Sequence, residues 1–301
     1  MLIVAALGGN AMLRRGEAPE LSAQHANLAV ATTVLAELAR VHRLVVTHGN
    51  GPQIGLLALQ AASCSTVSTP SLDVLGAETE GMIGYLIEQQ LAPKLAGRPI
   101  ATLLTQVEVD PDDPAFNRPD KPIGQVYDAT TAARLAAERG WSVARDGAGF
   151  RRVVPSPAPR RILELGTIRL LVEAGVTVIC AGGGGIPVAL DATSAIRGLE
   201  AVIDKDLTTA LLAIELHADA LLLLTDITAV LTHWPAPGGE PIRHATPAAM
   251  RARRFAAGSM APKVEAACRF AEETDRPAFI GALSEATAVL AGRAGTRIAR
   301  I

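Results

Sequence analysis

The amino-acid sequence predicts an α/β protein built around a largely parallel sheet. Short apolar runs alternate with segments whose apolar residues recur at helical spacing, which is typical of β-α-β units. A Gly-rich stretch follows three of the predicted strands, in the position of the ligand-binding loops of open α/β sheets. With 301 residues, 49% of them hydrophobic, and a formal net charge of -2, the chain can bury a core.

The first half of the chain reads as a β-α-β unit followed by an excursion. A buried apolar run is followed by a helix with Leu28, Thr32, Leu35 and Leu38 at helical spacing. The prolines and charges of residues 110–159 indicate a segment outside the sheet, with Asp128 as the N-cap of a short helix. The strands predicted in this half are residues 2–7, 44–47 and 100–107, and the helices are residues 22–40, a stretch after 49–52, and 129–139.

The second half resumes the regular alternation. Its strands end in a Gly-rich loop at 182–185, in Asp204, or in Thr225 and Asp226, while the Pro and Gly of residues 234–241 indicate a loop. The strands predicted here are residues 176–180, 201–203, 220–224 and 277–280, and the helices are residues 160–173, 206–217 and 263–273.

Composition and charge limit the classes of partner. The 28 Lys+Arg nearly balance the 30 Asp+Glu, so no global field attracts nucleic acid or an anionic membrane, and 3% aromatic residues leave little material for stacking on bases. Cys64, Cys180 and Cys268 form no C-x-x-C pair, which argues against a disulfide framework or a structural zinc site. No apolar run reaches the roughly 18 residues of a membrane span. We therefore expect a cytoplasmic protein without nucleic-acid or membrane partners.

The Gly-rich loops predict a site for several phosphate groups. Glycine lets backbone N–H groups approach an anion, and a following helix N-terminus adds partial positive charge. A single loop of this kind is as well explained by an ordinary tight turn, but three together favour a binding site. Neither a P-loop nor a dinucleotide-binding motif is present. The candidate phosphate and substrate residues are Gly8, Gly9, Asn10, Gly49, Asn50, Gly51, Gly182 and Gly183.

Two lysines at predicted helix starts can supply the positive charge that such a site needs. Lys205 lies between Asp204 and Asp206, and Lys263 follows Pro262 at the first turn of its helix. Phosphoryl transfer requires mainly alignment and charge neutralisation. Lys205 and Lys263 would neutralise charge, while Asp206 would orient a lysine or a magnesium ion. The alternative is that these are solvated charges at helix termini.

The longer motifs resemble the amino acid kinase superfamily and, within it, the carbamate kinase family. The resemblance runs essentially end to end. It includes the motifs at residues 6–11 (ALGGNA), 47–55 (THGNGPQIG), 81–85 (GMIGY), 151–157 (RRVVPSP), 180–187 (CAGGGGIP), 201–207 (AVIDKDL) and 258–266 (GSMAPKVEA).

This resemblance implies a three-layer α/β/α sandwich with a central, mainly parallel sheet, and a small protruding lid at about residues 116–154. Residues 1–205, with the lid, would form the acceptor lobe, and residues 206–301 the nucleotide lobe. The resemblance also implies a homodimer. The expected reaction is ATP plus carbamate giving ADP plus carbamoyl phosphate with Mg²⁺, run toward ATP in arginine fermentation.

Residue roles are also implied by the resemblance. Lys205 and Lys263 would contact the phosphates, Asp206 would organise the lysines, and Lys121 would reach down from the lid. Facing the nucleotide would be Thr225, Asp226, Met260 and Lys263.

A general base is not expected, because carbamate is already an anion. His48 beside a phosphate loop is therefore either a base or, as we favour, a hydrogen-bonding residue at a strand end. The lid departs from the family at Arg118, Asp120, Gln125 and Val126. Either Asp120 would hold Lys121 away from the phosphate and weaken activity, or Arg118 would compensate as a second cation. Two other hypotheses remain: a kinase for another small carboxylate or phosphate acceptor, and a weakly catalytic nucleotide or carbamoyl-phosphate sensor.

Overall fold

The computed structural model describes residues 1–9, 12–13, 17, 20–63, 68–232, 238–255 and 260–300. The strands are β1 (Leu2–Leu7), β2 (Arg43–His48), β3 (Ile100–Thr102), β4 (Gln106–Val109), β5 (Lys121–Tyr127), β6 (Val143–Asp146), β7 (Gly149–Val154), β8 (Pro159–Ile162), β9 (Thr177–Ile179), β10 (Ile186–Leu190), β11 (Ile196–Gly198), β12 (Ala220–Thr225), β13 (His244–Ala245), β14 (Ala278–Ala282) and β15 (Thr296–Ile298). The helices are α1 (Leu21–Val41), α2 (Gly51–Ser63), α3 (Leu72–Leu91), α4 (Ala129–Arg139), α5 (Leu165–Glu173), α6 (Lys205–Glu215), α7 (Pro247–Arg251), α8 (Met260–Thr274) and α9 (Ala286–Leu290).

An eight-stranded sheet forms the centre of the molecule, in the order β13-β15-β14-β12-β1-β2-β9-β3. Its strand pairs are parallel except for β14 with β15. The four middle strands β12, β1, β2 and β9 are neighbours and run in the same direction. Their carboxyl ends therefore meet at one edge of the sheet, as the Gly-rich loops predict.

Both faces of this sheet are covered, which confirms the predicted three-layer arrangement. Every residue of β1 is buried, as expected of a parallel strand packed on two sides. Leu2, Val4 and Ala6 pack on one side with α5, α6 and α8. Ile3, Ala5 and Leu7 pack on the other side with α1, α3 and α9. No helix among the described residues combines the length and apolarity needed to span a membrane.

Two smaller sheets lie outside the central one. The first has the order β11-β10-β4-β8. The second, β5-β7-β6, forms a small subdomain together with α4 inside the range 116–154 that was predicted to be a lid, and it is called the lid below. The Asp128 side chain caps α4 as predicted, by accepting a hydrogen bond from the Thr131 N–H at 2.8 Å.

Three predicted elements were wrong in part. Residues 100–107 are two strands, because the chain leaves the central sheet after β3 and enters the four-stranded sheet as β4. The helix predicted at 160–173 begins only at Leu165, and Pro159–Ile162 is instead an edge strand whose two arginines face solvent. The segment 201–203 is buried but is not a strand; the Val202 N–H pairs with the Pro155 carbonyl at 2.9 Å.

Candidate active site

The first two glycine loops and the end of β12 meet at the carboxyl edge of the sheet. The Gly8 N–H donates to the Leu224 carbonyl at 2.9 Å, and the Gly49 N–H donates to the Leu7 carbonyl at 3.1 Å. The loops touch so closely that a Cβ on Gly49 would lie 3.1 Å from the Gly9 nitrogen. Gly51 begins α2 with open space where a side chain would point. Asn10, also predicted here, lies outside the described residues.

The third loop, Gly182–Gly184, packs directly against the second. A Cβ on Gly183 would lie 2.1 Å from Asn50 Nδ2, and Gly183 has a φ of 68°, so only glycine fits. The Asn50 amide is fixed in turn by donating to Thr79 Oγ1 on α3 at 2.9 Å. The second and third loops therefore form one connected surface.

A buried lysine–aspartate–lysine cluster lies beside these loops. Lys205 Nζ is 2.5 Å from Asp206 Oδ1, and Lys263 Nζ is 2.7 Å from Asp206 Oδ2. Helix α6 supplies the first two residues from its first turn, and α8 supplies the third. Lys205 also reaches the second loop, since its Cε lies 3.5 Å from the position of a Cβ on Gly49. The three residues predicted to neutralise and organise charge thus come together.

Lys121 joins this cluster from the lid. It forms an ion pair with Asp204, whose other oxygen caps α6 by accepting from the Asp206 N–H at 2.9 Å. Lys121 is therefore held by Asp204, across the boundary between lid and body, and not by the adjacent Asp120. Lid and body also meet where Gly124 packs on the backbone of Gly55 in α2.

The electrostatics of the cluster keep its lysines available for an anion. Burial lowers the pKa of Lys205 to about 8, against the opposing attraction of Asp206. Burial also works against the charged form of Asp206, but the two lysines together outweigh it and lower the pKa of that carboxyl. For Lys263 the Asp206 carboxylate outweighs burial and raises the pKa of the ammonium group. The three lysines and two aspartates of the cluster together carry one excess positive charge, and the exposed Asp226 contributes to the raised pKa of Lys263.

His48 is a buried residue at the end of β2, fully shielded from solvent. Its Nδ1 is 3.1 Å from the Gly49 carbonyl, and its Nε2 has no hydrogen-bond partner among the described residues. Burial lowers the pKa of His48 to about 4, so the ring is neutral at pH 7. The ring packs on Gly182, where a Cβ would lie 2.3 Å from its Cε1. This packing favours the structural interpretation of His48.

The predicted nucleotide residues lie on the β12 side of the site. The Cα of Thr225 is 3.7 Å from the position of a Cβ on Gly8, and its hydroxyl donates to Asp226 at 3.0 Å. Asp226 is exposed. Met260, by contrast, is 3% exposed and packs in the core at the start of α8, three residues before Lys263.

Sequence reasoning missed three polar residues of this site: Thr79 and Glu80 on α3, and Asp204 as the partner of Lys121. A signal for Glu80 was present, because it falls on the apolar stripe of α3 formed by Gly76, Ile83 and Ile87. The scarcity of lysine in the composition also pointed to these residues. The chain has only four lysines among its 28 Lys+Arg, and three of the four converge here.

Comparison with known proteins agrees with this geometry. The model of the amino acid kinase family matches residues 1–282. A carbamate kinase of Haemophilus influenzae is 52% identical over 301 residues, covering 100% of this chain and 97% of the relative.

Solved structures give the same result. A carbamate kinase from Giardia lamblia bound to citric acid superposes with a TM-score of 0.94 at 38% identity, covering 100% of this chain and 98% of that one. The structure of a carbamate kinase from the same organism bound to AMP-PNP gives a TM-score of 0.89 at 38% identity with the same coverage. This chain therefore belongs to the amino acid kinase family and, within it, to the carbamate kinase branch.

Proposed function

We propose that this protein is a carbamate kinase that transfers a phosphoryl group reversibly between ATP and carbamate. The observation that carries the proposal is the convergence of Lys121, Lys205 and Lys263 on two aspartates, beside three glycine loops. In a chain so similar to carbamate kinases, this cluster provides the charge and the backbone donors that phosphoryl transfer requires.

The acceptor needs no deprotonation. A carbamate oxygen attacks the γ-phosphorus of ATP, the bond to the β–γ bridging oxygen breaks, and carbamoyl phosphate and ADP result. Because carbamate is already anionic, a neutral and inaccessible His48 is no obstacle. We assign the acceptor and the transferred group to the surface formed by Gly8, Gly9, Gly49, Asn50 and Gly51, with Gly182 and Gly183 behind it.

The lysines hold the charge that moves during transfer. Carbamate and the γ-phosphate repel each other, and point charges in a buried site offset this repulsion more strongly than in water. Asp206 keeps Lys205 and Lys263 pointed at one place, 2.5 and 2.7 Å from its two oxygens. The same pairing explains why two ammonium groups tolerate burial.

The nucleotide side of the proposal places ATP or ADP near Thr225, Asp226, Met260 and Lys263. Mg²⁺ would arrive with the nucleotide phosphates, since it commonly binds through substrate phosphates, waters and one or two carboxylates. Both aspartates of the cluster already accept from lysines, so the ion would be held mainly by the nucleotide phosphates and by waters. When bound, the ion would offset phosphate charge.

The assignment of substrates to these residues also divides the chain into two lobes. Residues 1–205 would bind the acceptor and residues 206–301 the nucleotide, with the lid at about 116–154 bringing Lys121 to the acceptor side. The ion pair of Lys121 with Asp204 supports this, since it ties the lid to the start of α6.

A homodimer and a cytoplasmic location are further parts of the proposal. Met82, Tyr85 and Leu104 expose apolar side chains on and beside α3, with Tyr85 58% exposed. A second copy of the chain would cover such a patch. Light scattering should give twice the chain mass, and Tyr85→Glu should shift the protein toward monomer; a monomeric wild type would contradict this part.

The direct test is ATP formation from ADP and an acyl phosphate, with the spontaneous decay of the phosphate donor subtracted. We expect rapid ATP formation from carbamoyl phosphate, the direction that fermentative arginine breakdown would use, and slow formation from acetyl phosphate. Preference for acetyl phosphate would indicate a different carboxylate acceptor. Binding of ADP without transfer from any donor would indicate a sensor.

A further inference from the structure

Helix α3 holds two of the substrate loops with consecutive residues. Thr79 accepts a hydrogen bond from the Asn50 amide of the second loop at 2.9 Å. Glu80 accepts from the Gly182 N–H of the third loop at 2.8 Å. The two loops are in close contact, because Gly183 packs so tightly against Asn50 that even a Cβ would lie 2.1 Å from Asn50 Nδ2. A single turn of α3 therefore sets the relative position of both loops.

Glu80 is a carboxyl group 1% exposed, and both of its oxygens receive backbone N–H groups. One accepts from Gly182 at 2.8 Å and the other from Thr105 at 3.2 Å. Thr105 supports the same loop, since its hydroxyl accepts from the Ala181 N–H at 2.9 Å. Glu80 and Thr105 together bind the two residues that open the third loop.

The surroundings of Glu80 do not balance its charge. No ion pair joins it to a lysine or arginine among the described residues. The nearby titratable groups are Glu164, which is bonded to Gln106, the buried Cys180, and His48 across Gly182. Burial raises the pKa of Glu80 to about 8, and the hydrogen bonds from Thr105 and Gly182 offset only part of this shift.

We propose that Glu80 is a positioning residue for the acceptor side of the site, and that its protonation loosens the Gly182–Gly184 loop and weakens binding of carbamoyl phosphate. This inference rests on the proposed function and deepens it. Glu80 touches no substrate; it acts through the backbone of the loop.

The chemical reason lies in what each form of the group can accept. A carboxylate offers acceptor lone pairs on both oxygens, so it satisfies Gly182 and Thr105 together. The protonated acid carries an O–H on one oxygen, which competes with one of the two amide N–H donors. The loop then loses either its direct hydrogen bond to Glu80 or the support that Glu80 gives it through Thr105, while the lysine cluster is unchanged.

The test compares the pH dependence of wild type with Glu80→Gln, which has nearly the same shape and does not titrate. Glu88→Gln is the matched control, because Glu88 lies on the same helix and accepts from Thr102 at 2.6 Å, away from the loop. KM for carbamoyl phosphate and kcat are measured for all three proteins between pH 6 and 9.5, at saturating ADP and Mg²⁺.

We expect the KM of wild type and of Glu88→Gln for carbamoyl phosphate, each divided by the KM of Glu80→Gln at the same pH, to fall roughly tenfold as pH rises through 8, the effect of about one hydrogen bond. The proton that Lys205 loses near pH 8 changes KM in all three proteins alike, so its effect cancels in this ratio. A ratio of wild-type KM to Glu80→Gln KM that does not change with pH overturns the proposal.

A second readout needs no catalysis. Amide hydrogen exchange of residues 180–186, corrected for intrinsic rates, should show protection that rises with pH in wild type and not in Glu80→Gln. If wild type forms no ATP, the proposed function fails, and the exchange result still decides the role of Glu80 in the loop. Equal, pH-independent protection in both proteins overturns that role.

Discussion

Replacing Lys205 with alanine tests the charge cluster most sharply. The substitution removes the ammonium group nearest the second loop and leaves the backbone of the α6 N-terminus in place. Loss of one strong electrostatic contact to the moving phosphoryl group lowers kcat by roughly 10²- to 10³-fold. Stability should fall less than the roughly 3–5 kcal/mol typical of breaking a buried ion pair, because Asp206 keeps Lys263 at 2.7 Å.

The assay is ATP formation from ADP and carbamoyl phosphate, with ADP binding and the melting temperature measured in parallel. Lys94→Ala is the matched control: Lys94 is the remaining lysine of the chain, and its Nζ donates to Thr32 and Gln90, remote from the cluster. Lys205→Ala should bind ADP and stay folded while losing turnover, and Lys94→Ala should keep its turnover. Wild-type kcat in a folded Lys205→Ala would refute the role given to this lysine.

Four further outcomes follow from the structure. Lys121→Ala should lower kcat at least tenfold and leave ADP affinity within twofold, as measured by calorimetry, because its ion pair with Asp204 lies at the lid boundary. Gly182→Ala should raise KM for carbamoyl phosphate or destabilise the fold, since its Cβ would lie 2.3 Å from the His48 ring; unchanged KM and melting temperature would contradict the close packing. In a pH–rate profile, kcat/KM should decline above pH 8, because Lys205 loses its proton in the free protein, where its pKa is about 8. The raised pKa of Glu80 means that the folded state keeps a proton that the unfolded chain has lost between pH 4.5 and about 8. The free energy of unfolding should therefore fall with rising pH in that window, and denaturant titrations should show a smaller fall in Glu80→Gln.

Much of the central sheet could be predicted from the sequence. Buried parallel strands such as Leu2–Leu7 and Ala220–Thr225 are continuous apolar runs, and each ends in a clear turn or polar residue. The split of residues 100–107 could not be predicted, because apolar residues continue across the point where the chain changes sheets. The helix predicted from residue 160 starts too early, because residues 159–162 pair with β4 and the neighbouring sheet selects a strand there.

The residues of the site could be predicted only in part. Lys205, Asp206 and Lys263 lie within the motifs at residues 201–207 and 258–266, so their chemistry was apparent before their distances were known. The contacts made by Glu80 and Asp204 depend on long-range packing, 102 residues away in the chain for Glu80 with Gly182. Such partners follow from the fold and not from local spacing.

The central claim is that this site moves a phosphoryl group between carbamoyl phosphate and ADP. Phosphorus-31 NMR of wild-type protein with both substrates and Mg²⁺ follows the transferred phosphorus atom itself. We predict that the carbamoyl phosphate resonance disappears as the γ-phosphorus resonance of ATP grows in equal amount. Accumulation of inorganic phosphate alone, at the spontaneous rate and with ADP unchanged, would contradict the account.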